Sequence, residues 1–484
     1  MSAAEGFSRR AVLGGVFVIA AAPAFSLADI GTIVALKGIR YGIAERFMAP
    51  KAAPWGMIDL ATLQSYGPSC PQQNGRYSPI SVDCLYLNIW APMGQPKRLR
   101  PVMVYFHGGA YSTGSVNDPL NDGTALAERG DVVVVTVNHR LNALGYLYLA
   151  RLDPRFPDSG NAGQLDLILA LQWVQRNIAA FGGDPKNVTL FGQSGGGAKI
   201  AALMAMPAAK GLFHKAITMS GQQVTASGPL NATKRAEAFL EKLGKGVDPA
   251  TAPVEQIMAA LSATDPILGG GVYMGPVLDM RNLHHHPFWP DAAPQSLHIT
   301  MLLGNTVAET RAFFPPDHPK LQKLDWNNLA LRLAPEMRID AHPEWVVGEF
   351  WARYPGDTPE QIFHRIVTAA RSWRGQIEEA EARAKAGRDN TFVYQLDFEQ
   401  AKHTDDIGFA FGTTPDPTPA QQAMSETMMD AFIRFAKTGN PGWSPYELKG
   451  RRTMVFDRKS RVISDPRKWE RELFARIPYV QPGT

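Results

Sequence analysis

The apolar residues of this chain fall in short unbroken runs rather than in the alternation of a half-buried strand, and the clearest runs stop at turn-forming residues. Val102 to Phe106 reads VMVYF and ends at His107-Gly108-Gly109-Ala110-Tyr111. Asp131 to Val137 reads DVVVVTV and ends at Asn138-His139-Arg140-Leu141, and Val188 to Phe191 ends at Gly192. Such β-branched and aromatic runs predict strands covered on both faces, as in a parallel sheet. Between the second and third runs, Leu167, Leu171, Val174 and Ile178 recur at helical period within Leu165 to Phe181, and Gly182-Gly183-Asp184-Pro185 stops that helix. Strand, helix, strand in this order predicts a βαβ crossover and a largely parallel sheet of the α/β class. Leu85 to Ala91, Lys215 to Met219, Ile299 to Leu303 and Thr391 to Leu396 are further candidate strands, and Thr453 to Phe456 with Val462 to Ser464 predicts a closing hairpin. From Gly31 to Gln72 the prolines at 50, 54, 68 and 71 predict irregular chain without long elements.

Two insertions interrupt the strand series. Asn231 to His298 mixes amphipathic helix with glycine- and proline-rich linker, and Glu309 to Gly387 is helical. Their position between core strands predicts a cap over the carboxyl edge of the sheet. The charges from Glu378 to Arg388 read as a solvated helix face.

Gly192-Gln193-Ser194-Gly195-Gly196 has the spacing G-x-S-x-G, placed between a strand and the alanine- and leucine-rich stretch Ala198 to Met206, which predicts a helix. At such a turn the serine is exposed at a helix N-terminus, where free N–H groups favour developing negative charge. A serine hydroxyl is a weak nucleophile and needs a base oriented by a third group. In α/β-hydrolases these follow in the order serine, acid, histidine, each on a loop after a core strand. Downstream histidines are His214, His284 to His286, His298, His318, His342, His364 and His403, of which His403 alone sits shortly after a well-formed candidate core strand. The consecutive His284 to His286 point in different directions and read as exposed loop rather than metal site. Glu309 follows the preceding strand within a few residues, with Asp317 as the second choice. The small residues of His107 to Tyr111 allow backbone N–H groups to turn towards an oxyanion.

Composition narrows the class. With 484 residues, 45% of them hydrophobic, the chain can bury a large core, and a formal charge of +4 with acids and bases interspersed offers no nucleic-acid footprint. Ser8-Arg9-Arg10-Ala11-Val12-Leu13 and the apolar stretch to Phe25 form a twin-arginine pattern, predicting an export signal over residues 1–28 that is cleaved, with a short membrane anchor as the alternative. No apolar run reaches the ~20 residues of a bilayer span, so no stable membrane insertion is expected after cleavage. In an oxidising compartment such as the periplasm or the exterior, Cys70 and Cys84, the only cysteines, can close a small loop. That bond would contribute about 3 kcal/mol by chain entropy; two separate buried thiols are the alternative.

With these residues assembled, the chain resembles the type-B carboxylesterases, the cholinesterase-like family of α/β-hydrolases. Asp83-Cys84-Leu85-Tyr86-Leu87-Asn88-Ile89 is similar to the family's segment around the second cysteine of its first disulfide, and Phe181-Gly182-Gly183-Asp184-Pro185 through Gly195 to its longer elbow signature. His403-Thr404-Asp405-Asp406-Ile407-Gly408-Phe409-Ala410-Phe411-Gly412 is similar to its histidine segment. The resemblance implies an α/β-hydrolase fold, a mostly parallel central sheet flanked by helices, as one catalytic domain over 29–484 with caps at about 230–298 and 309–390. It implies Ser194 as nucleophile, Glu309 as acid and His403 as base, with the N–H groups of Gly109, Ala110 and Gly195 as oxyanion hole and His107 as a bystander. It further implies hydrolysis of a small-molecule ester without cofactor or metal, the alternatives being carbamate or aryl-amide hydrolysis, or a binding protein without catalysis. Four departures stand out: Gly195 where the family usually has alanine, Thr310 where glycine usually follows the acid, Ile43-Ala44-Glu45-Arg46-Phe47 contracted relative to the family's proline-rich entry, and a short Cys70–Cys84 loop lacking tryptophan.

Overall fold

The computed structural model describes residues 33–54, 63–73, 75–94 and 96–479. The anticipated export signal lies outside them. A ten-stranded sheet runs through the molecule. In chain order its strands are β1 (Ile33–Arg40), β4 (Tyr86–Pro92), β5 (Arg100–Phe106), β6 (Val133–Val137), β7 (Gly183–Gln193), β8 (Lys215–Met219), β9 (Thr300–Thr306), β10 (Thr391–Leu396), β11 (Arg452–Phe456) and β12 (Arg461–Ser464), with β2 (Gly42–Ile43) and β3 (Lys51–Ala52) pairing separately. The spatial order is β1-β4-β6-β5-β7-β8-β9-β10-β11-β12. The seven strands from β6 to β11 in this order are parallel, and antiparallel pairs close both edges. The anticipated crossover is present, with helix Ala162–Asn177 joining β6 to β7 across β5.

Both faces of the sheet are buried, which explains the unbroken apolar runs. Val102, Val104 and Phe106 of β5 join Val133, Val135 and Val137 of β6 on one face, against helices Ala162–Asn177 and Gly195–Ala205. Met103 and Tyr105 join Val134, Phe191 and Tyr394 on the other, against Thr124–Gly130, Asp405–Phe411 and Pro419–Thr438.

The irregular chain expected over 31–72 is interrupted by β1, an eight-residue edge strand. Its pairing with β4 shifts register between Leu36 and Ile39, where Gly38 takes φ +75°, and only two of its residues are buried. No apolar run marks such a strand. The two insertions differ from each other. The first, with helices Pro229–Leu243 and Val254–Ala260, contributes Ala236, Phe239, Ile257 and Met274 to the core beneath one face of the sheet. The second builds a core of its own from Phe314, Leu333, Phe350, Phe363 and Ile366 together with Phe474 of the C-terminal helix. Its last helix, Arg374–Lys385, packs on β9 and β10, so the charge run is not simply a solvated face. Glu379 and Arg383 are fully buried there, and Arg383 donates to Thr391 Oγ1 at 2.9 Å and to the Ile299 carbonyl.

Candidate active site

The carboxyl ends of four neighbouring parallel strands carry the site. β7 ends at Gln193, and Ser194 follows with φ 54° and ψ −122°, a conformation an L-residue adopts only under constraint. Ser194 N–H donates to the Met219 carbonyl at 2.7 Å, and helix Gly195–Ala205 begins at once. A Cβ on Gly192 would stand 2.6 Å from the carbonyl carbon of Gly196, and one on Gly196 1.9 Å from the Phe106 oxygen, so this turn closes only with glycine at both places. Ser194 is partly exposed.

Glu309 follows β9 and is fully buried. Its Oε2 accepts from His403 Nδ1 at 2.5 Å, while Oε1 accepts from the Thr306 N–H at 3.0 Å, Asn305 Nδ2 at 3.2 Å and the Ser220 hydroxyl. Burial would raise its pKa, but the charge of His403 and these donors outweigh it and hold the carboxyl below its ordinary value. His403, in the loop after β10, is lowered by burial, and here too Glu309 prevails, so the imidazole is raised above 6.5. With Nδ1 donating to Glu309, Nε2 is the free base. It lies 3.3 Å from Gln193 Nε2, which donates to it, and no hydrogen bond joins it to Ser194 among the described residues. Catalytic hydrogen bonds of this kind are commonly long or misaligned without substrate and tighten around it. Asp317, the alternative acid, is exposed, and His284 to His286 lie apart, His286 Nδ1 accepting from the Ala226 N–H. Among the described residues no group of three or more His, Cys, Asp or Glu is placed to hold a metal.

The glycine loop after β5 meets the elbow backbone to backbone. Gly109 and Ala110 take φ 80° and 52°, and a Cβ on Gly195 would be 2.1 Å from the Ala110 oxygen. His107 is buried, and burial followed by the charge of Lys199 pushes its pKa down to about 3, so it stays neutral.

The sequence profile of the carboxylesterase family matches residues 26–468. The chain belongs to that family. It is 34% identical to the para-nitrobenzyl esterase of Bacillus subtilis over 90% of this chain and 94% of that protein, and 32% identical to carboxylesterase 4A of Bos taurus over 83% and 82%. The crystal structure of a Geobacillus stearothermophilus carboxylesterase superposes with TM-score 0.80 at 34% identity, covering 91% of this chain and 96% of that one. The chain is accordingly a carboxylic ester hydrolase of the α/β-hydrolase fold.

Within this esterase the departures from the family pattern acquire reasons. Gly195 stands where the elbow comes too close to Ala110 for a side chain. Thr310 ties the acid's turn down: its hydroxyl bonds Thr368 Oγ1 at 2.9 Å and the His364 carbonyl at 3.2 Å. Cys70 and Cys84 are both buried, with their sulfur atoms in contact. The loop they flank braces the site nonetheless, because Gln72 Oε1 accepts from the Gly114 N–H at 2.8 Å.

Lys199 carried no sequence signal as a site residue. It is the one charged residue in a helix buried along its whole length, and its ammonium donates to the carbonyls of His107 at 3.0 Å and Ala110 at 2.8 Å. Those two residues bracket Gly108 and Gly109. Ser220 and Gln193 were likewise silent, since their roles exist only once β7, β8, β9 and β10 lie side by side.

Proposed function

We propose that this esterase works through Ser194, His403 and Glu309, with the N–H groups of Gly109, Ala110 and Gly195 receiving the oxyanion. The observation that carries the reading is the 2.5 Å contact of a buried Glu309 with His403, beside a strained Ser194 at a helix N-terminus. His403 Nε2 accepts the proton of Ser194 as its oxygen attacks the ester carbonyl, and Glu309 stabilises the imidazolium. Collapse of the tetrahedral intermediate expels the alcohol with the proton from Nε2, and water activated by the same nitrogen then releases the acid. Gln193 must yield Nε2 for the first transfer. A sulfonyl fluoride or organophosphate should leave one adduct, on Ser194, and Ser194→Ala should lower kcat by ~10⁶-fold. A labelled enzyme with its adduct elsewhere would overturn the assignment.

The twin-arginine pattern supports export, so the mature protein is periplasmic or secreted, and the juxtaposed thiols of Cys70 and Cys84 would then be oxidised to a disulfide. The insertions near 230–298 and 309–390 complete a single catalytic domain. N-terminal sequencing and thiol titration of protein recovered from the periplasm or medium check the export reading: an intact Met1 with two free thiols would refute it.

A further inference from the structure

The proton that leaves with the alcohol comes from His403 Nε2, so the alcohol portion of a bound ester must lie against the imidazole. This side of the site is lined by Phe313, whose ring centroid is 4.7 Å from that of His403 and which is 37% exposed, open to whatever binds there. Over the Phe313 ring sits the guanidinium of Arg371, its Cζ 4.9 Å from the centroid. The cation is thus separated from the catalytic base by one aromatic ring.

Its charge is poorly matched within the protein. Two of the deeply buried arginines, Arg140 and Arg235, are each paired with an aspartate at 2.6 and 2.7 Å. Arg371 has Glu336 at 3.8 Å, and Glu336 is already in closer contact with Lys320. Arg338, at φ 54° just past the helix Leu329–Met337, is exposed and forms no ion pair among the described residues. It lies near enough that burial and its charge together push Arg371 down to about 10. Lys320, Arg338 and Arg371 therefore gather around Glu336 beside an exposed aromatic ring, and the other carboxylate that acts on Arg371, the buried Glu309, is already bonded to His403.

The backbone that presents Arg371 is also unusual. Thr368–Trp373 forms a π-helix between two α-helices, an insertion that re-aims side chains and is frequent at functional sites. Thr310 binds Thr368 on the same turn, which fixes Arg371 relative to Phe313 and the base.

We propose that this side of the site selects esters whose alcohol portion is an aromatic ring bearing a carboxylate, the ring packing against the exposed part of Phe313 and the carboxylate meeting Arg371 and Arg338. A guanidinium presents a planar fork that matches a carboxylate and stacks on aromatic faces. The proposal rests on the assignment of Ser194 and His403 above. Its test compares acid release from 3-acetoxybenzoate with that from the neutral isostere 3-acetoxybenzamide. The wild-type enzyme should favour the carboxylate by about 10-fold in kcat/KM, the size of one charge-assisted contact. Arg371→Gln and Arg338→Gln should each lower that ratio at least ~3-fold, and high salt should compress it in the wild type. If Arg371→Gln does not fold, Arg371→Lys, which keeps charge but loses the fork, and Arg338→Gln decide. A wild-type ratio at or below one on an active enzyme, or a ratio retained in both arginine variants, overturns the proposal alone. Hydrolysis of neither ester by an enzyme whose Ser194 takes the sulfonyl fluoride overturns the proposal alone, whereas failure of that label as well defeats the serine assignment and the proposal with it.

Discussion

Replacing Lys199 by methionine separates the chemistry of the triad from the support of its oxyanion loop. The substitution keeps an unbranched side chain in a helix with no exposed residue and removes both donors to His107 and Ala110. Each buried carbonyl left without a donor costs about 1–3 kcal/mol, which the loop can relieve by turning. Losing one oxyanion donor typically costs about 10²- to 10³-fold in rate. Because the elbow still confines Ala110 through Gly195, we expect the lower end: kcat on 4-nitrophenyl butyrate down ~10²-fold, with KM within about 3-fold. Stability offers a second readout. Burial pushes the amine from 10.5 down to about 7, so holding it charged costs roughly 5 kcal/mol. The unfolded chain retains a proton on this lysine between pH 7 and 10.5 that the folded chain has released, so this site makes stability rise with pH across that window. The rise is about 2 kcal/mol between pH 7 and 9. Urea unfolding at those two pH values should show a difference between wild type and Lys199→Met of that size and sign. A folded variant with kcat within 2-fold of wild type, or with the same pH dependence of stability, would refute the reasoning.

The pH profile tests the base. Because Glu309 raises the imidazole of His403 above 6.5 and only the neutral ring accepts a proton, kcat/KM should rise with pH through a midpoint above 6.5. Glu309→Gln should lower the rate and move that midpoint to lower pH, where burial alone would place it; an upward shift contradicts the geometry. Gly195→Ala, which restores the residue common in the family, should reduce kcat at least ~10-fold here, since its Cβ would overlap the Ala110 oxygen. An unchanged rate would mean that the loop and elbow adjust freely.

Strands were legible wherever burial on both faces imposed an unbroken apolar run, which is why Lys215–Met219 and Thr391–Leu396 were bounded correctly from composition alone. β1 escaped because an edge strand with a register shift needs few apolar residues. Likewise the proposed serine, acid and histidine could be picked out by position after successive strands, with family resemblance beside it, because the parallel sheet turns chain order into spatial order. The residues that escaped share a different logic. Lys199 in an alanine-rich helix and Glu379 in a charge run have the local sequence of solvated side chains, and only their partners show otherwise. Glu379 accepts from the Gln223 N–H at 2.6 Å, and Gln223 in turn accepts from Tyr111 at the end of the glycine loop.

These buried charges are expensive, and their placement shows what they secure. Burial pushes Glu379 up to about 8 and Lys199 down to about 7, so each destabilises the fold near neutral pH relative to an apolar residue. Both act on backbone that a hydrophobic side chain cannot hold: two carbonyls around the oxyanion glycines, and one N–H on the loop from β8 that also carries Ser220 to Glu309. Glycine-rich chain has no side chains with which to pack itself in place, so its carbonyls and amides are the only handles available. A sequence written for stability alone would put methionine at 199 and glutamine at 379; this one holds the glycine loop after β5 still at the cost of that stability.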